Sequence, residues 1–299
     1  MHLKQQSAME YLMTYGWAVL IIAIVLIAFF EFGVFNAPVP TIQAGACYVF
    51  KSTASVSLAG RCQGAWPNYV AQFNGASSYI GLPSSVFNYI TSGATNNYNL
   101  TFSVWFYTTS NGIILGQDNG APPPSTPGGW VPAIYIDSNG LVRASVFWHT
   151  NTAYQIVSSA KYNNGRWHNL VDTYNNGIET LYIDGQEIGY QTYSESGYST
   201  TYSYFLGTGY GLSWRSTNSG WFYFGSGISN VQIYNTSLAT DEINALYLEG
   251  IGGAPIDSTH IVGWWPLNGN AQDYSGNGNN AQVNNIEWSS AWESAYTPP

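Results

Sequence analysis

The sequence predicts a mostly β protein in which an apolar N-terminal α-helix precedes a two-sheet β-sandwich. No charged residue occurs between Glu10 and Glu31. From residue 47 onward, apolar and polar side chains alternate in short runs, which is the periodicity of strands. Asn-Gly, Asp-Gly and Ser-Gly pairs separate these runs, and many short strands at such spacing predict a sandwich or barrel.

The composition favours an exported β protein over several other classes. Of the 299 residues, 8% are charged, against about 25% in an average domain. Seven Lys and Arg face sixteen Asp and Glu, so a net charge of −9 argues against the basic surface that nucleic-acid binding requires. An aromatic content of 16% argues against a disordered chain. Because cytosolic enzymes normally carry abundant surface charge, we expect a secreted or surface-displayed protein.

The apolar run at residues 11–30 has the length of a membrane span, since twenty residues at about 1.5 Å rise cover the roughly 30 Å hydrocarbon core. A cleaved secretory signal peptide is the alternative. The run exceeds the usual apolar region of about 7–15 residues and no Ala-x-Ala site follows it, which favours an anchor. We predict a hydrophobic helix over residues 6–35 and, from Pro38 and Pro40, an extended linker over residues 36–46.

Residues 4–18, KQQSAMEYLMTYGWA, resemble the class III signal peptides of archaeal type IV pilin-like proteins. In that family a prepilin-type signal peptidase removes a short basic leader, and the fifth residue of the mature chain is a glutamate. The resemblance implies a leader at residues 1–5, cleavage between Gln5 and Gln6, and Glu10 as that glutamate. The residue before the cut is usually Gly in the family and is Gln5 here. The resemblance also implies assembly with other pilin-like subunits through the N-terminal helix, after a stage in the cell membrane.

Two roles fit Glu10. A carboxylate at the lip of an apolar helix is costly to bury alone. In a helical bundle it pairs with the freed α-amino group of a neighbouring subunit and sets the axial register, which is the favoured role. Alternatively, Glu10 lies at the water interface and stabilises the N-terminus of its own helix.

The remainder of the chain predicts strands and one short helix. The clearest strands are three runs of alternating residues, 100–107, 181–183 and 231–234. The strongest helix candidate is residues 240–248, TDEINALYL. Thr240 or Asp241 can cap its N-terminus, and Gly250 lies just past its end.

Several of these runs resemble strands of laminin G-like, concanavalin A-like jelly rolls. The pair RWHNLV and LYIDGQEIG, at residues 166–171 and 181–189, is similar to a hairpin of that family. Further similar runs are AQFNG at 71–75, YIGLP at 79–83, FSVWF at 102–106 and ISNVQIYNTSL at 228–238. The resemblance covers roughly residues 65–250 and implies a jelly-roll sandwich over residues 47–299.

Residues 260–281, HIVGWWPLNGNAQDYSGNGNNA, resemble the first strand of the same family, although here they come last. The 40 residues from His260 to Pro299 are too few for a second jelly roll. The block therefore completes the same sandwich, as in a circular permutation, or donates a strand to an adjacent subunit. Completion within the chain is favoured, because the first and last strands of this fold are neighbours.

Two further expectations depend on export. Cys47 and Cys62 are 15 residues apart, and an even number of cysteines outside the cell favours a disulfide, with two buried thiols as the alternative. The tripeptides Asn-Leu-Thr and Asn-Thr-Ser, which begin at Asn99 and Asn235, are glycosylation sequons. Both lie at the edges of predicted strands.

The resemblance to laminin G-like sandwiches, which often hold calcium at the rim, implies a Ca²⁺ site. Residues 273–279, DYSGNGN, supply Asp273, Asn277 and Asn279 as candidate ligands. Since this stretch contains one carboxylate, a turn held by hydrogen bonds of its own Asx side chains is an equally good interpretation. The Asp-Asn pair at residues 118–119 is a weaker candidate.

The sequence predicts no catalytic site. Jelly rolls that hydrolyse β-glucans carry two Glu flanking an Asp at alternate positions of one strand, which places these carboxylates on one face. The chain contains no Glu-x-Asp and no Gly-x-Ser-x-Gly. The nearest acidic grouping, Asp241-Glu242, lies on the predicted helix. We therefore expect that the protein is not an enzyme.

Sugar binding remains as a function, because flat aromatic faces flanked by hydrogen-bonding groups hold sugars. Candidates for such a platform are five side chains in or near predicted loops, Trp130, Trp148, His149, Trp214 and Trp221. The alternative is that these aromatic side chains fill the core, as tryptophans often do in sandwiches.

Three functions follow. The favoured one is a type IV pilin-like filament subunit that displays a lectin-like domain for adhesion. The second is a membrane-anchored glycan-binding protein that does not polymerise. The third, an anchored glycan hydrolase, lacks the carboxylates it would need. The first two place the chain in the cell membrane and then on the extracellular surface or in a filament, with surface glycans as partners.

Overall fold

The computed structural model describes residues 15–17, 19–23, 66–87, 99–120, 122–145, 155–192 and 202–299. The chain divides into two units, Met1–Gln43 and Ala44–Pro299. In the first unit, residues 15–17 and 19–23 are helical and their side chains are exposed. Within the described residues, no helix combines the length and the apolar character needed to cross a membrane. The rest of the helix predicted over residues 6–35 lies outside the described residues, as do the leader and the linker, so these stay predictions.

The second unit contains two antiparallel sheets, of which the first has eight strands. Seven of them follow the order β10-β9-β8-β3-β12-β1-β15, and β13 also pairs with β12. Their bounds are Val70–Asn74 (β1), Asn99–Tyr107 (β3), Trp167–Asn175 (β8), Ile178–Ile183 (β9), Gln186–Thr192 (β10), Gly225–Tyr234 (β12), Ile261–Trp265 (β13) and Glu287–Ser289 (β15).

The second sheet has seven strands in the order β14-β2-β11-β4-β5-β6-β7. Their bounds are Tyr79–Leu82 (β2), Gly112–Asp118 (β4), Trp130–Ile136 (β5), Leu141–Ala144 (β6), Ile156–Lys161 (β7), Ser203–Leu206 (β11) and Gln282–Asn284 (β14). Short 3₁₀ turns occur at Ser84–Phe87 and Glu293–Ala295. The predicted mostly β, two-sheet sandwich is confirmed.

The core lies between the two sheets. Phe102, Phe106 and Leu170 of the first sheet and Ile134 and Leu206 of the second belong to one cluster and are fully buried. Alternate residues of a strand point to opposite faces, so the period-two pattern supplies one apolar face to this cluster. Burial of apolar area at about 25 cal/mol per Å² is the main stabilising contribution of this arrangement.

The predicted Asn-Gly and Asp-Gly turns connect neighbouring strands. Asn176 and Gly177 join β8 to β9 with φ values of 48° and 92°, and Asp184 and Gly185 join β9 to β10 with 52° and 74°. A two-residue hairpin turn with both φ values positive matches the right-handed twist of its strands. This requirement explains why Gly follows Asn or Asp at both turns.

One helix, α1 (Thr240–Glu249), covers part of the outer face of the first sheet. Its Ile243 and Leu246 pack with Tyr182 and Tyr234 of the strands beneath. The predicted helix and the Gly250 C-cap are confirmed.

The predicted N-cap of this helix is wrong by one residue. The cap residue is Ala239, not Thr240 or Asp241. Its backbone N–H donates to Glu242 Oε2 at 2.8 Å, so a glutamate in the first turn supplies the capping group from inside the helix.

The C-terminal block pairs with strands of the same chain. One edge of β12 is shared between β1, which pairs along Gly225 to Ile228, and β13, which pairs along Val231 to Tyr234. β14 then extends the second sheet by pairing with β2, and β15 extends the first by pairing with β1. The C-terminal residues thus supply strands to both sheets of the same chain, as the favoured prediction of completion within the chain expects.

Candidate functional site

Three aromatic side chains lie close together at the second sheet, where the β4–β5 connection meets the β11–β12 connection. Trp130 begins β5, and Tyr210 and Trp221 face each other as a bridged pair in the connection between β11 and β12. The ring centroid of Tyr210 lies 4.9 Å from that of Trp130 and 5.7 Å from that of Trp221, both edge to face. All three side chains are half-buried. We call Trp130, Tyr210 and Trp221 the aromatic rim.

Backbone carbonyls fix both indoles of the aromatic rim. Trp130 Nε1 donates to Leu212 O and Trp221 Nε1 donates to Ser125 O, each at 3.0 Å. The N–H group of each indole is therefore satisfied, and the rest of the ring surface is apolar. Because these hydrogen bonds already hold the two indole rings in place, little side-chain entropy is lost when a flat ligand binds.

The loop that carries Ser125 is closed at its base by Asn119. Asn119 Oδ1 accepts hydrogen bonds from the backbone N–H groups of Gly128 and Gly129, at 2.9 and 3.0 Å. Asn119 N in turn donates to Gly129 O at 3.0 Å. In this loop Asn119 therefore serves as a turn residue. The neighbouring Asp118 is buried, and its Oδ1 accepts from Gly120 N.

The structure brings together two of the five predicted platform residues. Trp130 and Trp221 lie in the aromatic rim, whereas Trp214 packs against the sandwich core. Trp214 is half-buried like the other two, and its predicted platform role stays a prediction. Trp148 and His149 lie outside the described residues. Tyr210 was missed, because one tyrosine among 24 carries no local signal of its role.

The candidate calcium loop is closed by its own hydrogen bonds. Asp273 Oδ1 accepts from the N–H groups of Trp264 and Ser275, at 3.0 and 2.8 Å. Asp273 Oδ2 accepts from Ser275 Oγ and from Asn279 N, at 2.9 and 2.8 Å. Four donors thus already surround the carboxylate on which a Ca²⁺ ion would depend.

The two asparagines of this loop also bond inward. Asn277 Nδ2 donates to the carbonyls of Ile261 and Val262, and Asn279 Nδ2 donates to Val262 O. Among the described residues, no group of three or more His, Cys, Asp or Glu is placed to hold a metal. The contacts favour the turn interpretation, and calcium binding here stays a prediction.

The two sequons lie at the same end of the first sheet. Asn99 is the exposed first residue of β3, and half-buried Asn235 directly follows β12. The predicted processing and assembly residues, Gln5, Gln6 and Glu10, lie outside the described residues. So do the predicted disulfide partners, Cys47 and Cys62.

Sequence reasoning missed a cleft of about 240 Å³ on the first sheet. Its lining includes Trp105, Arg166, Trp167, Asp184 and Tyr247. The Trp105 and Tyr247 rings stack with an interplanar angle of 19° and a centroid distance of 6.0 Å. These residues come from two strands, the connection before β8, the turn after β9 and α1, so no local motif contains them.

A pair of acidic side chains is buried on the inner face of the first sheet. Asp172 on β8 and Glu179 on β9 are 1% and 0% exposed. Burial raises the pKa of the Asp172 carboxyl well above its ordinary value, and the charge and hydrogen bond of Glu179 raise that pKa further. The two groups are held together by cross-strand register rather than by sequence spacing, so a search for Glu-x-Asp does not find them.

Comparisons with solved structures found likenesses at low identity. A proposed carbohydrate-binding protein from Bacteroides ovatus is 12% identical with a TM-score of 0.48, over 74% of this chain and 60% of that one. The SAP-like pentraxin of Limulus polyphemus is 10% identical with a TM-score of 0.44, over 74% and 94%. Domains LG4-5 of the mouse laminin alpha1 chain are 18% identical with a TM-score of 0.36, over 59% and 45%. The chain thus spans less than two thirds of the Bacteroides protein and of the laminin fragment.

A comparison with curated proteins gave no match. A family model described as the concanavalin A-like lectin/glucanases superfamily matches residues 74–244. The resemblance of the N-terminus to pilin-like proteins falls outside these residues and stays a prediction. Because the model matches more than half of the sequence, the chain belongs to the concanavalin A-like lectin/glucanases superfamily.

Proposed function

We propose that this chain is a glycan-binding protein displayed on the outer surface of the cell, and that the aromatic rim is its binding site. The observation that carries the proposal is the set of half-buried rings of Trp130, Tyr210 and Trp221, with both indole N–H groups already bonded. Such rings offer flat apolar surface to the face of a sugar.

Binding fits this chain better than hydrolysis does. Glycoside hydrolysis needs two carboxyl groups that flank a bound sugar in a cleft open to water. The adjacent acidic pair that the first sheet provides, Asp172 and Glu179, is buried beneath apolar side chains and faces the core. We therefore expect the protein to retain glycans without cleaving them.

A glycan array probed with the purified full-length protein tests this proposal. We expect Trp130→Ala and Trp221→Ala each to weaken the strongest binding signal about 10-fold or more, because central aromatic contacts contribute most of such affinities. Arg166→Gln, in the separate cleft, is the matched control and should bind as the parent does. Failure of the parent protein to bind any glycan contradicts the proposal, as does loss of binding in the Arg166 variant alone. Thermal unfolding of each variant verifies that it is folded.

Assembly into a type IV pilin-like filament is the second candidate, carried by the sequence around Glu10. The uncharged stretch after Glu10 and the position of Glu10 five residues past Gln5 fit a helix that packs in a filament core. We expect N-terminal sequencing of the native protein to begin at Gln6. An intact Met1 contradicts leader removal and leaves a membrane-anchored protein that does not polymerise. A Glu10→Gln variant should lose filaments while retaining glycan binding.

A further inference from the structure

The two sequons are neighbours in the fold although 136 positions separate them in the chain. β3 and β12 are antiparallel partners, and Thr101 is paired with Tyr234 at their common end. Asn99 therefore lies two residues beyond this pair on one strand, and Asn235 lies one residue beyond it on the other. The register places both acceptor asparagines in one small region at the edge of the first sheet.

The hydroxyl of the first sequon is buried inside this junction. Thr101 is 0% exposed. Its Oγ1 donates to Thr236 O at 2.8 Å and accepts from Leu238 N at 2.9 Å. The hydroxyl of one sequon is thus bonded to the backbone of the segment that contains the other, and the pairing of β3 with β12 closes over it.

The two asparagines differ in exposure. Asn99 is exposed, so a sugar chain on its amide can extend into solvent without displacing protein. Asn235 is half-buried, its backbone N–H donates to His260 O, and its Oδ1 is buried without a hydrogen-bond partner among the described residues. A sugar attached to Asn235 before folding would crowd the end of β12, where the half-buried Asn235 is bonded to His260 in the folded protein, and would hinder closure there.

We propose that Asn99 alone carries an N-linked glycan, and that the glycan is attached before β3 pairs with β12. In the transfer, Asn99 Nδ2 forms a bond to C1 of a lipid-phosphate-linked oligosaccharide, the bond from C1 to the phosphate oxygen breaks, and the amide loses one proton. The transferring enzyme reads the hydroxyl of the sequon together with its asparagine. That hydroxyl belongs to Thr101 and is out of reach once the sheet has formed.

Glycopeptide mass spectrometry of the native protein tests the choice of site. We expect sugar on the peptide that contains Asn99 and an unmodified Asn235. Asn99→Gln should remove the mass increase of the intact protein, and the matched variant Asn235→Gln should keep it. Sugar on Asn235, or two bare asparagines in the native protein, overturns the proposal.

The order of events has its own test. Unmodified full-length protein, folded after expression in a host without the transferase, is incubated with an oligosaccharyltransferase and its lipid-linked donor. A synthetic peptide spanning residues 96–104 is the accessible control. We expect transfer to the peptide and less than about one tenth of that transfer to the folded protein. Equal transfer to both overturns attachment before folding, and it does so whether or not the aromatic rim binds glycans.

Discussion

Replacing Trp292 with Ala is expected to lower the free energy of unfolding of the sandwich by about 3–5 kcal/mol. Trp292 is 4% exposed and lies in the last segment of the chain, after β15. Its ring centroid is 5.6 Å from that of Trp66, 5.7 Å from that of Tyr296 and 6.4 Å from that of Trp167. Removal of the indole therefore leaves a cavity bordered by three aromatic rings.

Hydrogen bonds add to this packing. Trp292 Nε1 donates to Pro67 O at 3.1 Å, and Trp292 O accepts from Trp167 Nε1 at 3.2 Å. Trp292 thus links the beginning of the described sandwich, the interior strand β8 and the last segment. Since these are contacts between distant parts of the sequence, their loss affects the whole cooperative unit.

Urea unfolding of the full chain, followed by tryptophan fluorescence, measures this effect. Trp292→Phe should fall between the parent and the Ala variant, because it keeps an aromatic ring and loses the Nε1 donor. Tyr190→Ala is the control, since Tyr190 is 66% exposed and should change the free energy of unfolding by less than about 0.5 kcal/mol. If the Trp292 and Tyr190 variants are equally stable, the C-terminal segment does not close the sandwich.

Local features of this fold were predictable from the sequence, and long-range ones were not. Asn176-Gly177 and Asp184-Gly185 form the expected hairpin turns, because Gly, Asn and Asp adopt the left-handed backbone conformation more readily than other residues do. The Ala239 cap was mispredicted because Glu242 supplies the capping bond from the first turn. Trp292 has no distinguishing neighbours in sequence, and its role arises from partners up to 226 positions away.

The candidate site shows the same limit. Tryptophans 130, 214 and 221 have similar loop surroundings in the sequence, yet the fold places Trp214 against the core and the other two around Tyr210. Asp273 was singled out for its oxygen-rich surroundings, and the same surroundings supply the four donors that satisfy it. Composition predicts polar or aromatic clusters, whereas the direction of each side chain depends on strand register.

The acidic pair leads to the second large expected effect, which concerns pH. Asp172 pairs in register with Leu181, and Glu179 pairs with Tyr174, so the two carboxyl groups lie diagonally on one face of β8 and β9. Two buried carboxyl groups that are this close disfavour each other's ionisation, so the pair favours a state in which one of them holds a proton. In the folded state the pKa of Asp172 is raised well above its ordinary value, chiefly by burial. The unfolded chain has no such burial and titrates near pH 3.9.

The sign of the pH dependence follows from this difference. A group whose folded pKa is raised stabilises the fold fully below its unfolded pKa, and this contribution is lost as the pH rises through the folded pKa. We therefore expect the parent protein to lose stability above about pH 4 relative to an Asp172→Asn variant, which cannot ionise at this position. At pH 8 the variant should be the more stable of the two, by about 1.4 kcal/mol for each pH unit that separates the folded and unfolded pKa values of Asp172 below that pH.

Urea unfolding at pH 4, 6 and 8 distinguishes an Asp172 whose ionisation destabilises the fold from one whose ionised carboxylate stabilises it. The advantage of Asp172→Asn should grow with pH, whereas the control Glu187→Gln, at an exposed carboxyl on β10, should show no such trend. An Asp172→Asn variant that is less stable than the parent at pH 8 would mean that the ionised carboxylate is favourably bound in the core. Whichever of the two carboxyl groups holds the proton, Asp172 and Glu179 are 1% and 0% exposed, so a sugar in solvent does not reach them.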